Sequence, residues 1–169
     1  MTKQESKIRI LSDVDNVIDY ILSYRRMNVT KLQKIVYYAY SWTLALLNQS
    51  EDNIRIKLFA DSPVAWVHGP AFPNVYIKYR NCECDAITTN MKNSIDKDLS
   101  VILDLIIKTY GNFSYEYLES MTHQEDPWIK ARSGLDPFES SSNIINDIDI
   151  FQYFKMLCRK NNISMLTIS

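Results

Sequence analysis

The stretch from Thr30 to Leu47, TKLQKIVYYAYSWTLALL, predicts a long helix that decides the fold. Thr30 and Gln33 have the spacing of a capping box, in which two side chains satisfy free backbone N–H groups at a helix start. Behind them the apolar residues recur at helical spacing and form one stripe. The members of this stripe are Leu32, Ile35, Val36, Ala39, Thr43, Leu46 and Leu47. We therefore expect this segment to pack along the core.

Aromatic side chains crowd six positions of this predicted helix. They are Tyr37, Tyr38, Tyr40 and Trp42. Residues so close in sequence point to different sides of a helix, so they cannot all face the core from one side. We expect at least one of them to look outward or into a neighbouring groove, where tyrosine and tryptophan suit a binding surface.

Capping residues and apolar periodicity predict further helices on both sides of this segment. Their starts are marked by Ser12, Pro73, Ile95, Ser114, Asp126 and Asn146, and Gly111 is placed to end the helix that begins at Ile95. Two short apolar runs flank turn-forming residues at 61–63, which predicts a small β-hairpin. The runs are Ile56 to Ala60 and Val64 to Val67. The polar segment 81–93 is predicted to be irregular.

The predicted fold class is mainly α, a single compact helical domain of about six or seven helices with a small β-hairpin. Residues 1–11 form a short lead-in, residues 12–160 the domain, and residues 161–169 a tail whose apolar side chains we expect to dock. A chain of 169 residues is long enough to bury its own core.

Composition narrows the partners and the compartment. Lys plus Arg is 19 and Asp plus Glu is 20, so the formal net charge is -1. Because the chain has no excess of positive charge to attract phosphate groups, we expect no direct binding to nucleic acid. The odd set of three cysteines, Cys82, Cys84 and Cys158, is unlike a disulfide framework and favours a cytoplasmic location. No apolar run approaches the roughly 20 residues of a membrane span.

Acidic residues pair at three predicted helix N-termini, where a carboxylate contributes about 0.3–1 kcal/mol. The pairs are Asp13 with Asp15, Glu125 with Asp126, and Asp147 with Asp149. We interpret them as capping residues rather than as catalytic acids. The three glycines are too dispersed to cradle a phosphate, and there is no Gly-x-Ser-x-Gly elbow. The sequence therefore predicts no catalytic residues and no cofactor.

One set of residues keeps a second hypothesis open, a small metal-dependent hydrolase. It would use His68, His123 and Glu125 with the Cys82 and Cys84 pair. A Cys-x-Cys spacing is weaker evidence for zinc than a Cys-x-x-Cys motif, so we expect no metal. The zinc content of the purified protein would test this hypothesis.

Three separated runs carry a resemblance to a known family. They are Lys31 to Ala39 (KLQKIVYYA), Ala65 to Tyr76 (AWVHGPAFPNVY) and Thr122 to Arg132 (THQEDPWIKAR). In order and spacing they resemble the Panacea antitoxin domain, also called SocA-like, roughly from Val14 to Phe154. This chain has Ala71 where the family usually has valine after Gly-Pro.

The resemblance implies an antitoxin that binds and neutralises a co-encoded protein toxin, as in phage-associated type II toxin–antitoxin pairs. The implied partner is a cognate toxin, and a homo-oligomer or a hetero-oligomer with the toxin is left open. Because only residues 1–11 precede the domain, we do not expect the DNA-binding module that some relatives carry. A phage-encoded inhibitor or adaptor of a host defence or proteolysis protein is the other binding hypothesis.

The resemblance also assigns residues. Those predicted to bind the partner are Lys31, Lys34, Tyr37, Tyr38, His68, His123 and Arg132, and those predicted to form the structural motif are Trp66, Gly69, Pro70, Tyr76, Pro127 and Trp128. Gln33 belongs to the same motif positions. Exposed aromatic and arginine side chains suit an interface, so we expect Tyr37, Tyr38, His68, His123 and Arg132 on the surface. The three runs are predicted to meet in one docking face.

Overall fold

Seven α-helices and two small sheets make up the part of the chain that the computed structural model describes, residues 7–81 and 95–168. The helices are α1 (Val14–Tyr24), α2 (Val29–Leu47), α3 (Pro73–Tyr79), α4 (Lys97–Tyr110), α5 (Tyr115–Thr122), α6 (Asp126–Ala131) and α7 (Asp147–Lys160). The strands are β1 (Arg9–Ile10), β2 (Ile56–Lys57), β3 (Val64–Trp66) and β4 (Gly69–Ala71). The mainly α prediction is confirmed. Most of the segment predicted to be irregular, with Cys82 and Cys84, lies outside the described residues.

Helix α2 lies at the centre of the fold, in contact with α1, α3, α4, α5, α7 and strands of both sheets. Because it is enclosed on all sides, Tyr37, Tyr38 and Tyr40 are each 0% exposed. The prediction that Tyr37 and Tyr38 are on the surface is therefore wrong. From Ile35 to Leu47 the helix carries no charged residue on any side, and such a pattern is typical of a helix that is buried around its circumference. Trp42 does line a groove, together with residues of α4.

The start of α2 differs from the predicted capping box. Asn28 is the N-cap, and its side chain accepts a 2.9 Å hydrogen bond from the backbone N–H of Lys31. The Thr30 hydroxyl donates to the Asn28 side chain at 2.7 Å. Gln33 is then free for the core, where its amide accepts from the backbone N–H of Phe72 at 2.8 Å and donates to the Phe72 carbonyl at 3.1 Å.

The hairpin is formed by the second predicted run and the residues that follow it, not by the two predicted runs. Strands β3 and β4 pair antiparallel around the two residues Val67 and His68, with Trp66 opposite Gly69. Gly69 has φ +97°, a left-handed conformation that glycine adopts without strain, and this conformation favours the turn here. Strand β2 instead pairs in parallel with β1, a long-range contact that local patterns do not reveal.

The predicted cap of the first helix is wrong, because Asp13 stands at the N-cap of α1 without a side-chain bond and the Ser12 hydroxyl is buried without a partner among the described residues. Three later boundaries do follow their predicted residues. Ser114 and Asn146 each accept a hydrogen bond from a backbone N–H in the first turn of α5 and α7, and Gly111 follows the end of α4.

The tail docks only in part. Leu166 and Ile168 pack against the core, and the backbone N–H of Leu166 donates to the Leu46 carbonyl at 3.0 Å, whereas Ile163 and Met165 are exposed. No helix within residues 7–81 and 95–168 combines the length and the apolar character needed to cross a membrane.

Substituting the two left-handed glycines should separate backbone strain from crowding. Gly69 and Gly134 both have positive φ, but only at Gly69 would a Cβ meet neighbours, 2.6 Å from Thr122 Oγ1 and 2.9 Å from Lys34 Cε. We expect Gly134→Ala to lower the free energy of unfolding by about 1–2 kcal/mol through strain alone. Gly69→Ala should cost a further ~1–3 kcal/mol because the core is overpacked. Urea denaturation measures both, and equal losses would contradict the close approach.

Candidate docking site

Buried polar side chains of α2 bond to strand β4 and the residue after it, and so fix the inner side of the hairpin. The Lys34 ammonium donates to the Pro70 carbonyl at 3.1 Å, and the Gln33 amide holds Phe72 through both of its backbone groups. Lys34 is among the residues predicted to bind the partner, but it is only 3% exposed and therefore has almost no surface for a direct contact. Burial lowers the pKa of Lys34 to about 8, while the nearby Glu119 carboxylate opposes this shift. The hairpin is therefore attached to the most buried helix of the molecule.

Two histidines converge on the carboxylate of Glu119 in α5. His68, at the hairpin turn, has its Nδ1 2.9 Å from Glu119 Oε1, and His123 has its Nε2 4.0 Å from the same oxygen. Although burial opposes the shift, hydrogen bonds from Tyr115 and His68 lower the pKa of Glu119. Burial lowers the pKa of His123. The side chain of His68 is 75% exposed, so this residue is at the surface as predicted.

Trp128 of α6 contacts His123, Arg132 and the hairpin. The His123 ring stacks on the Trp128 ring at 4.3 Å between centroids, and the Arg132 guanidinium lies 5.3 Å from the same ring centroid. The indole N–H of Trp128 donates to the Trp66 carbonyl at 2.9 Å. Helix α6 is thereby fixed against the hairpin.

Arg132 is buried, which contradicts the prediction that it is exposed. Its guanidinium donates to the Ala65 carbonyl at 3.0 Å and to the carbonyls of Asp136, Pro137 and Glu139 at 3.2, 3.3 and 2.7 Å. The five N–H groups of arginine can serve several acceptors at once, and this capacity explains why it takes a structural position here. Arg132 fixes the loop after α6 to strand β3.

Glu125 departs from the predicted capping role. It stands at the N-cap position of α6, but its side chain makes no cap hydrogen bond and is buried, accepting from the Tyr38 hydroxyl at 2.8 Å. Tyr38 in turn stacks on Tyr110 at 4.1 Å between ring centroids. Burial raises the pKa of Glu125 to about 8, although the Tyr38 bond lowers it in part. The carboxyl group is therefore largely protonated at neutral pH.

The remaining predicted residues divide between the site and the scaffold. Lys31 points away from the hairpin and donates to the Gly111 carbonyl at the end of α4, 2.8 Å away. The residues of the predicted structural motif are all buried or half-buried, namely Trp66, Gly69, Pro70, Tyr76, Pro127 and Trp128. Of the residues predicted to bind the partner, His68 and His123 are the two that reach this surface with an accessible side chain.

Three adjacent hollows of about 400, 460 and 420 Å3 surround His68, Glu119 and His123. We call the surface that they form the hairpin face. Its residues are Trp66, Val67 and His68 of the hairpin, Glu116, Glu119, Ser120, His123 and Gln124 of α5 and its end, Trp128, Ile129 and Arg132 of α6 and its end, and Ser133, Leu135–Phe138 and Ser140–Ser142 of the following loop. The hollows share residues, so they form one continuous, uneven surface.

Sequence reasoning missed the two most informative residues of this face. Glu119 lies in the middle of α5, where a single glutamate carries no signal, and only the fold brings both histidines to it. Phe138 is 89% exposed in a loop, where the sequence shows no apolar periodicity. Its neighbour Pro137 is a turn signal that marks the loop, but nothing in the sequence indicates that the ring is exposed.

The described residues place the histidines of the metal hypothesis differently from the prediction. His68 and His123 face Glu119, whereas Glu125 bonds Tyr38 in the core. Within residues 7–81 and 95–168, no three His, Cys, Asp or Glu side chains are arranged to hold a metal ion. Cys82 and Cys84 lie outside these ranges.

The hairpin face thus combines apolar, aromatic and charged side chains on a fixed scaffold. The family described as "Antitoxin SocA-like, Panacea domain" matches residues 32–129, which is more than half of the chain. The chain therefore belongs to this family of antitoxin-like domains, as the three sequence runs predicted. No curated protein and no solved structure matches it.

The buried carboxyl of Glu125 should make stability depend on pH. Its pKa of about 8 in the folded protein stands above the ordinary value of 4.5, so between these pH values the folded state keeps a proton that the unfolded chain has released. The free energy of unfolding should therefore fall as pH rises through this window. Glu125→Gln stays neutral and can still accept from Tyr38, so its stability relative to the wild type should increase from pH 5 to pH 8.

Urea denaturation at several pH values measures this difference. Glu116→Gln, a substitution of an exposed carboxylate, is the matched control and should follow the wild-type curve. A constant difference between Glu125→Gln and the wild type across the window would contradict the protonated carboxyl.

Proposed function

We propose that this protein is an antitoxin that neutralises a co-encoded protein toxin by binding it through the hairpin face. The observation that carries the proposal is the convergence of the three family runs. Lys34 from the first run supports the hairpin of the second, and Trp128 from the third is bonded to the same hairpin. The second and third of these segments supply residues of the hairpin face, and the first, which is buried, supports them from inside the protein.

The hairpin face is preformed, and this favours tight binding. Its hairpin, helix and loop are held by buried hydrogen bonds of Gln33, Lys34 and Arg132, so little conformational freedom is left to lose on association. We infer that His68 and His123 contact the partner directly. Lys34, Tyr37, Tyr38 and Arg132 act by positioning the surface, because each is buried.

Neutralisation by this route is steric and needs no chemistry of its own. An interface of ordinary size buries about 1,600 Å2 in total, enough to cover an active site or to hold it in an inactive shape. The titratable groups at the face serve structural contacts: Glu119 accepts from His68, and His123 stacks on Trp128. A complex of this kind acts in the cytoplasm, where its toxin is made.

Co-expression with the product of the adjacent reading frame tests the proposal. We expect the chain to restore growth and to co-purify with that product. Ile129→Asp places a charge on the exposed apolar rim of the hairpin face and should abolish both effects. Val101→Asp, an equally exposed apolar position on α4 outside the three hollows, should retain them.

Either of two outcomes would count against the proposal. The first is that the product of the adjacent reading frame is toxic and the chain neither restores growth nor binds that product. The second is equal loss of rescue from Ile129→Asp and Val101→Asp while both variants remain folded by circular dichroism, because the hairpin face would then have no special part.

A further inference from the structure

Phe138 has the features of a binding anchor. An aromatic ring that is 89% exposed gains almost none of the stabilisation that burial gives an apolar side chain. Single exposed apolar residues are common, but this ring stands at the edge of a hollow of about 460 Å3 beside the half-exposed Ile129. Phenylalanine in such a place suits insertion into a pocket of a partner.

The loop that carries Phe138 is held in one shape. A turn runs from Asp136 to Glu139, closed by a 3.0 Å backbone hydrogen bond from the N–H of Glu139 to the Asp136 carbonyl. Pro137 occupies the second position of the turn, where its fixed φ is favourable. The Glu139 side chain accepts a further bond from the Asp136 N–H at 3.1 Å. Phe138 therefore takes the third position of a rigid turn.

Arg132 holds this turn to the rest of the protein through three main-chain carbonyls. Its guanidinium is buried and stacked near Trp128, so the turn has a fixed path relative to α6. A rigid turn presents its aromatic ring with little loss of entropy on binding. The geometry thus combines an exposed apolar ring with a pre-organised support.

Charge indicates what kind of surface fits here. The residues that line the three hollows include the carboxylates of Glu116, Glu119 and Asp136, and Arg132 is their only Lys or Arg. Since Arg132 is buried and serves carbonyl groups, the accessible charge around the apolar centre is acidic. A complementary surface carries lysine or arginine around an apolar pocket.

Resting on the proposed function, we propose that Phe138 is the anchor of the hairpin face and inserts into an apolar pocket of the toxin that is rimmed by basic residues. Phe138 supplies the apolar contact. Glu116 and Asp136 at the edge guide the basic rim of the partner during association.

The central test uses the protein that co-purifies with the wild-type chain in the co-expression experiment. Phe138→Ala should weaken its affinity at least tenfold in calorimetry or surface plasmon resonance, and Phe138→Leu should recover part of the loss. The melting temperature of Phe138→Ala should be unchanged, because the ring makes few contacts in the free protein. Val101→Ala on α4 is the matched control and should bind like the wild type.

A double-mutant cycle tests whether Arg132 acts by positioning Phe138. Arg132→Lys keeps the charge but cannot serve all of the carbonyls, so it should loosen the turn and weaken binding. If it acts only by positioning Phe138, the double variant Arg132→Lys with Phe138→Ala should bind no more weakly than Phe138→Ala alone. If the losses of affinity were additive, the positioning role of Arg132 would be wrong.

Association rates test the charge of the partner. Glu116→Gln with Asp136→Asn should slow association and reduce its dependence on ionic strength, because steering acts through accessible charges. Asp13→Asn with Asp52→Asn removes two exposed carboxylates outside the hollows and should change the rate less. Faster association after loss of Glu116 and Asp136 would mean an acidic rim and would overturn this part.

The outcomes separate the two proposals. If no partner binds the wild-type chain, the antitoxin function fails. If a partner binds and Phe138→Ala binds equally well, the function stands and the anchor is wrong.

Discussion

The structure depends on the burial of α2, in which all residues from Leu32 to Leu47 except Trp42 are buried. A polar group on a buried helix is stabilised when it finds a partner inside the protein, because an unpaired buried group costs about 1–3 kcal/mol. Gln33 meets this need with the backbone of Phe72, Lys34 with the Pro70 carbonyl, and Tyr38 with Glu125. These three bonds reach segments far apart in the chain. The polar groups of the buried helix thereby determine where the hairpin and α6 lie.

The same constraint gives the surface its character. The hairpin and α6 are fixed from inside the protein, so the neighbouring surface can carry a side chain that is not needed for packing, such as Phe138 in the loop after α6. Binding residues and scaffold residues are thus adjacent but have different tasks. Arg132 shows the division most clearly, since a residue type common at interfaces is here used entirely inside the protein.

Local patterns in the sequence predicted the helices well because capping residues and apolar periodicity act over a few positions, as at Asn146, Ser114 and Pro73. They failed where a distant partner decides the structure. The pairing of β1 with β2 and the burial of Glu125 against Tyr38 join residues separated by dozens of positions. At the site, the sequence predicted the histidines, but Glu119 and Phe138 acquire their importance only from the fold.

The bonds of Arg132 to the turn have a consequence for how the surface can change. They end on main-chain carbonyl oxygens, which every amino acid possesses, so the path of the loop does not depend on which side chain stands at position 138. Evolution or protein engineering can then exchange that residue and alter the recognised shape while leaving the framework intact. Relatives with different side chains at this position could then recognise different partners on the same backbone.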